Sequence, residues 1–262
     1  MTLSVLILAK NEEKNIKDAI ESAKFADETI VVDDFSTDNT KKIAESLGAK
    51  VYQRALNGNF GAQKTFAIEQ STSEWIFILD ADERITSELA AEIKEIIIKG
   101  EYFAYKVPHR NYIMGQEIRY GGWYPDYGTR LLPRAGVSVE GIVHESATHR
   151  YKEKKLKYPV THYTYNSWEQ YLHKFNLYTK MAAEKNYQKG KRTAFFKDIV
   201  LRPCFTFFKM YVLRAGWRDG KLGFIMAVLN YFYTMMKYIK LYYLQNEIKN
   251  NEMLDFDNHQ NN

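Results

Sequence analysis

One cysteine in 262 residues, Cys204, leaves nothing from which to build an internal disulfide framework or a thiolate-held zinc cluster, and a lone thiol suits a reducing compartment. Histidine is sparse too: His109, His144, His149, His162, His173 and His259 include no pair at the close helical spacing of a zinc hydrolase. No uninterrupted run reaches the roughly 20 apolar residues that a spanning helix needs. The nearest, Leu222 to Met236, is bounded by Lys221 and Lys237 and broken by Asn230. Met1 to Ala9 enters an apolar run with no basic stretch before it and no small-residue cleavage site after it, so the expectation is a chain that is not exported.

What is present is enough apolar residue, 45%, to fill one sizeable core and leave an appendage. The net charge is +5, and Lys and Arg thicken in the second half alongside the aromatics, which points to an anionic partner. Leu3 to Ala9 is a short apolar strand, after which Asn11 offers a cap for a helix over Glu12 to Ala23. Glu28 to Val32 is a second strand, and Ser36, Thr37, Asp38 and Asn39 offer caps for a helix over Thr40 to Leu47. A strand at Lys50 to Gln53, a helix at Ala62 to Gln70 and an apolar strand at Trp75 to Leu79 complete a βαβαβαβ order, which predicts a doubly wound, mostly parallel α/β sheet. Tyr102 to Thr164 reads as short strands between Gly and Pro turns that extend the same sheet. An aromatic helix follows at Ser167 to Tyr187, and then Phe195 to Leu213 and Leu222 to Leu244 form a helical hairpin about an Arg214 to Gly220 turn. The expected domains are residues 1–188, a helical appendage at 189–249 and a polar, disordered tail at 250–262.

Ligands of open α/β sheets sit outside the carboxyl ends of the strands. Three polar clusters fall there: Ala9-Lys10-Asn11-Glu12, Asp33 to Asp38, and Asp80-Ala81-Asp82-Glu83. A single acidic residue after a strand is usually just a helix cap, as it would be for Asp38 alone. Alternating carboxylates such as Asp80 and Asp82 on an extended segment can also hold a hard divalent cation whose remaining ligands are substrate phosphates.

SVLILAKNEEKNI, ETIVVDDFSTDNT and WIFILDADE, in that order and at those separations, make the chain resemble the family 2 glycosyltransferases, whose fold is the nucleotide-sugar-binding GT-A type. The resemblance implies an inverting hexosyl transfer from a nucleoside-diphosphate sugar, most often a UDP-sugar, aided by Mg²⁺ or Mn²⁺. It implies that Asp34, with Glu12 and Lys64 nearby, holds the nucleoside, and that Asp80 and Asp82 meet ribose, diphosphate and metal. Ala9, Asn11 and Ala81 line the same cleft by position. The second half is similar to the lipopolysaccharide core β-1,4-glucosyltransferase branch through Gly122 to Asp126, Arg130 to Arg134, Gly141 to Glu145 and the segment from Arg202 to Leu241. A saccharide or glycolipid acceptor follows from that branch.

Inversion requires one base to take the proton of the attacking hydroxyl. Glu145 is the candidate, since His144-Glu145 stands where the wider family carries Glu-Asp; Asp126 is the alternative base, and His144 is either a metal or diphosphate contact or a structural histidine. Asp126 and Arg130 either form a structural ion pair or divide acceptor binding and diphosphate contact between them. In the hairpin, Phe, Tyr, Met and Leu alternate with Lys197, Arg202, Lys209, Arg214, Arg218, Lys221, Lys237 and Lys240, a composition suited to an anionic membrane surface rather than to nucleic acid. The expected place of work is therefore the inner face of the cell membrane, peripherally bound. Packing on the catalytic domain or on a second copy in a homo-oligomer is the other reading of that hairpin. A nucleotidyltransferase would put a glycine-rich loop after the first strand, where Lys10-Asn11-Glu12-Glu13 has no glycine. A non-catalytic membrane adaptor on the same scaffold stays open at this level.

Overall fold

The computed structural model describes the backbone of residues 1–140 and 146–260; residues 141–145 and 261–262, and the side chains of residues 140, 146 and 247–260, lie outside the described residues. Two compact units divide the chain: Met1–Tyr112 with Pro125–Thr164, and Ile113–Tyr124 with the chain from Tyr165 onward.

The first unit is built on strands β1 (Leu3–Ala9), β2 (Glu28–Asp33), β3 (Lys50–Gln53) and β4 (Trp75–Asp80), paired in parallel in the order β3-β2-β1-β4. Side chains alternate between the faces of a strand, so each apolar strand feeds two cores. Leu3, Val5, Ile7 and Ala9 join one core with Ile16, Ala19 and Ile20 of helix α1 (Ile16–Ser22); Leu6 joins the other with Ile30, Val32, Ile76 and Ile78. The second core is closed by Ala67 and Ile68 of α3 (Phe60–Gln70), which follows α2 (Thr40–Ser46) and β3. The doubly wound pattern read from the sequence is thus observed.

The sheet continues through β8 (Asp126–Pro133) and β6 (Ala104–Ile113), antiparallel to each other, to β12 (Val160–Tyr165) and β5 (Glu83–Ile85). Between β5 and β6, α4 (Ser87–Lys99) is capped by the Thr86 hydroxyl, which accepts from the Leu89 amide, and is stopped by Gly100 at φ 67°. Its Leu89, Ile93 and Ile97, four residues apart, press one stripe into the first core. Truncating Ile93 to Ala there would cost about 2–5 kcal/mol. Strands β9 (Ser138–Glu140) and β10 (Ser146–Thr148) form a separate antiparallel pair, and β11 (Glu153–Lys155) runs parallel to β6.

The second unit contains β7 (Gln116–Ile118), α5 (Trp168–Gln188), a π-helical turn Phe195–Leu201, α6 (Arg202–Phe208), a second π turn Lys209–Leu213, a 3₁₀ turn Gly216–Asp219 and α7 (Gly220–Gln260). Its core is Ile113, Ile118, Tyr171, Met210, Leu222, Met226 and Ala227. Aromatic packing such as Phe175 edge-on to Tyr233, 5.9 Å between centroids, seats α5 against α7, so α5 belongs with the hairpin rather than with residues 1–164. The expected hairpin is present. Its turn depends on Gly216, where a Cβ would lie 2.7 Å from the Met210 carbonyl oxygen, and on Asp219, whose carboxylate accepts the Arg119 and Tyr120 amides at 3.2 and 2.8 Å. Helix α7 passes through Asn250, where the sequence reads as a disordered tail. Among the described residues no helix is long and apolar enough to cross a membrane.

Candidate active site

In-register pairing puts Ala9 opposite Asp33 and Leu8 opposite Asp80, so the three acidic or polar clusters begin at one level of the sheet. The first two clusters lace together. Asn11, at φ 54°, accepts the Thr37 amide at 2.8 Å and its own amide donates to the Ser36 hydroxyl at 2.9 Å. It therefore does not cap α1, which begins later, at Ile16, after a turn closed from the Glu12 carbonyl to the Asn15 and Ile16 amides. The Glu12 carboxylate accepts from the Asn15 side chain at 2.7 Å, and its amide donates to the Thr40 hydroxyl at 2.7 Å. Asp38 is a local cap, accepting the Thr40 amide at 3.0 Å.

The two adjacent aspartates after β2 have different environments. Asp33 is fully buried and accepts from the Ser36 amide and the Gln53 side chain. Asp34 stands at the edge, accepting the Leu56 amide at 3.0 Å and Lys10 Nζ at 2.7 Å. Desolvation alone would raise the Asp34 carboxyl, but the bonds from Lys10 and the Leu56 amide outweigh it and hold the group below its ordinary range.

The third cluster is the most highly charged. Arg130 Nη2 donates to Asp80 Oδ2 at 2.8 Å and to Glu83 Oε1 at 2.6 Å, with His109 Nε2 3.2 Å away. Glu83 is completely buried; its other oxygen accepts the Asp80 amide at 3.0 Å, and His109 Nε2 lies 3.3 Å from Oε1. Lys64, from α3, reaches to 4.0 Å of Asp80. Desolvation would raise the Asp80 carboxyl, yet Arg130 and Lys64 drive it far below the usual carboxylate range. Burial likewise works against the Arg130 charge, but Asp80 and Glu83 hold the guanidinium firmly protonated. Gly128 makes this possible, since a Cβ there would lie 2.9 Å from His109 Cε1 and 3.3 Å from Arg130 Nε.

Asp82 is held differently. His162 Nε2 lies 3.6 Å from its carboxylate, while His162 Nδ1 and the Thr164 hydroxyl both meet Asn111 Oδ1, at 2.9 and 3.2 Å. Burial would lower the imidazole, but Asp82 more than offsets it, and the net shift is upward. The Ala81 carbonyl accepts from Arg84.

Arg130 is thus not the ion-pair partner of Asp126, which corrects one of the two sequence readings. Asp126 is exposed at the start of β8, its carbonyl oxygen 3.1 Å from His109 Nδ1. His144 and Glu145 lie outside the described residues. Sequence reasoning grouped Lys64 with Asp34 and Glu12, and Arg130 with Asp126 or a diphosphate; the structure brings both Lys64 and Arg130 to Asp80. Sequence reasoning missed Glu83 as the pivot, and missed His109, Asn111, His162 and Thr164. The available signal was polar residues at alternate positions, 109 and 111 in β6 and 162 and 164 in β12, on strands that are otherwise largely apolar or aromatic.

Among the described residues no group of three or more His, Cys, Asp or Glu side chains is arranged to hold a metal ion. A magnesium-like cation needs only one or two protein carboxylates if phosphate and water supply the rest. Asp82, whose carboxylate lies 3.6 Å from His162 and two residues along the chain from Asp80, fits that requirement.

The chain matches the profile of Glycosyl transferase family 2 over residues 4–217. It belongs to that family. An uncharacterized glycosyltransferase of Rickettsia felis is 33% identical over 91% of this chain and 89% of its own length. The lipopolysaccharide core biosynthesis glycosyltransferase LpsC of Rhizobium meliloti is 28% identical over 92% of both chains. The solved structure of S. aureus TarS 1-349 in complex with UDP is similar at 17% identity, covering 94% of this chain and 92% of that one, with a TM-score of 0.49. The protein is a glycosyltransferase, and the charged strand ends are its candidate active site.

Proposed function

We propose that this glycosyltransferase moves a hexose, with inversion, from a nucleoside-diphosphate sugar, a UDP-sugar by preference, to a saccharide or glycolipid acceptor of the bacterial surface. The observation that carries the reading is the division of labour at the end of β4: Asp80 is bound by Arg130 and reached by Lys64, whereas Asp82 lies against the His162 imidazole. An array of that kind suits a diphosphate with its counter-cation. Lys64 and Arg130 neutralise phosphate oxygens, and Asp34, kept ionised, accepts from the nucleoside. A divalent cation held by Asp82 with Asp80 would supply charge neutralisation to the departing diphosphate.

The buried Glu83 holds Arg130 and orients the Asp80 loop, which keeps the phosphate-facing groups preorganised. The acceptor proton goes to a carboxylate, Glu145 in this reading and Asp126 in its alternative. LpsC is the support for a lipopolysaccharide or related surface saccharide as product. Work at the cytoplasmic face of the membrane, on an anionic surface, is the setting we infer from the basic aromatic hairpin.

A donor-turnover assay tests the reading. UDP released from a UDP-sugar in the presence of Mn²⁺ or Mg²⁺ is the expected result. Pyrophosphate release would mean nucleotidyl transfer, and no turnover with any nucleotide sugar would mean a non-catalytic scaffold.

A further inference from the structure

The helical unit carries a half-open cavity of about 380 Å³ whose lining includes none of the strand-end residues described above. Four of its lining side chains are cationic: Arg202, Lys209, Arg214 and Lys237. Arg202, Thr206 and Lys209 follow at i, i+4 and i+7 and so present one face to it. Arg202 and Lys237 crowd the same Tyr238 ring, 5.1 and 4.8 Å from its centroid. Among the described residues, the carboxylate ion-paired with this group is Asp198, 2.9 Å from Arg202. Lys237 feels the crowding: burial first, then Arg202 and Lys191, lower its affinity for a proton. Gathering like charges in a cavity costs stability unless an anion joins them.

Beside the cationic row runs an apolar one. Leu201, Phe205, Phe208 and Val212 recur at i, i+4, i+7 and i+11, each about half exposed, and Phe205 belongs to both the row and the cavity wall. Phe195 and Phe196 extend it, 62% and 66% exposed. A free phosphate ion would satisfy the cations and leave this stripe in water. A phospholipid would satisfy both.

We propose that this cavity is a binding site for the phosphate of an anionic phospholipid headgroup, with the Leu201-Phe205-Phe208-Val212 stripe lying among the acyl chains. The proposal sharpens the membrane-surface reading and rests on it, but it is independent of the sugar chemistry.

Flotation of the full chain with phosphatidylcholine vesicles, with and without phosphatidylglycerol, is the test. The unaltered protein is expected to float with the phosphatidylglycerol vesicles, and the Lys209→Gln/Lys237→Gln variant to lose about tenfold or more in vesicle affinity. Lys237→Gln alone should melt no lower than the unaltered chain without lipid, since it removes a crowded charge. Equal flotation of the double variant would overturn the site while leaving a diffuse membrane affinity standing. No flotation of the unaltered chain would overturn both. Should the double variant fail to fold, short-chain phosphatidylglycerol below its micelle concentration is added to the unaltered chain. It should raise the melting temperature more than short-chain phosphatidylcholine or inorganic phosphate; equal stabilisation by inorganic phosphate would assign the cavity to the free ion and overturn the lipid assignment.

Discussion

In the parallel half of the main sheet, β3-β2-β1-β4, the inner strands are apolar and their polar residues begin where the strands end; in the mixed half, His109, Asn111, Arg130, His162 and Thr164 sit within the strands themselves. The difference follows from what each half carries. Parallel strands covered by helices on both faces are mostly apolar, with buried Ser4 and Asp33 as hydrogen-bonded exceptions, so most of their chemistry is displaced into loops, where partly exposed pairs such as Lys10 with Asp34 form at little energetic cost. The mixed half buries charge inside the sheet, where Glu83 and Arg130 hold each other and reach Asp80 at the end of β4. In the proposed function, the loops of one half hold the donor and the other half presents a fixed electrostatic template.

The comparison breaks most readily in kinetics. If the mixed half and the adjoining β9–β10 segment perform the reaction, Glu145→Gln should reduce kcat by about 10²–10⁴ with donor affinity nearly unchanged, and Asp126→Asn should be milder. An inactive Asp126→Asn beside a near-normal Glu145→Gln would move the base to the start of β8. Stability gives the next contrast. Arg130→Met strands the fully buried Glu83 and should cost about 3–5 kcal/mol in urea denaturation. Lys10→Met, which breaks a pair whose lysine is 60% exposed, should cost no more than about 1 kcal/mol. Similar losses for the two would erase the distinction between template and loop. The smaller kinetic effect is on binding by the parallel half: Asp34→Ala should raise the donor KM by about 10–100-fold, the range for a hydrogen bond to a charged group, without changing kcat. A fall in kcat alone would place Asp34 in the chemistry.

The same contrast explains which features the sequence made legible. Leu3 to Ala9, Glu28 to Val32 and Trp75 to Leu79 announce themselves as apolar runs, and the acids at their ends mark the ligand side of the sheet. The hairpin was legible because its aromatic and basic composition is continuous over two helix lengths. Glu83 was not: it lies next to the prominent Asp-Ala-Asp, and its partners His109 and Arg130 are distant in sequence and brought near only by the antiparallel return of β6 and β8. The beginning of α1 was misplaced because Asn11 looks like a cap and instead ties the β1 loop to Ser36 and Thr37, a contact that exists only once β1 and β2 pair. The place of α5 depended on tertiary packing of Tyr171 and Phe175, which no local pattern reveals.

Thermal unfolding with a panel of nucleotide sugars, with and without Mn²⁺, in the unaltered chain and in Asp82→Ala, tests the account at its centre. A ligand that binds only the folded state raises stability by mass action, by about 2.7 kcal/mol at a hundredfold excess over Kd. A UDP-sugar is expected to raise the melting temperature of the unaltered chain strongly with Mn²⁺ and weakly without it. In Asp82→Ala, with an unchanged ligand-free melting temperature, the metal-dependent part should be absent. Equal stabilisation of both proteins, or stabilisation of the unaltered chain that ignores the metal, would contradict the account.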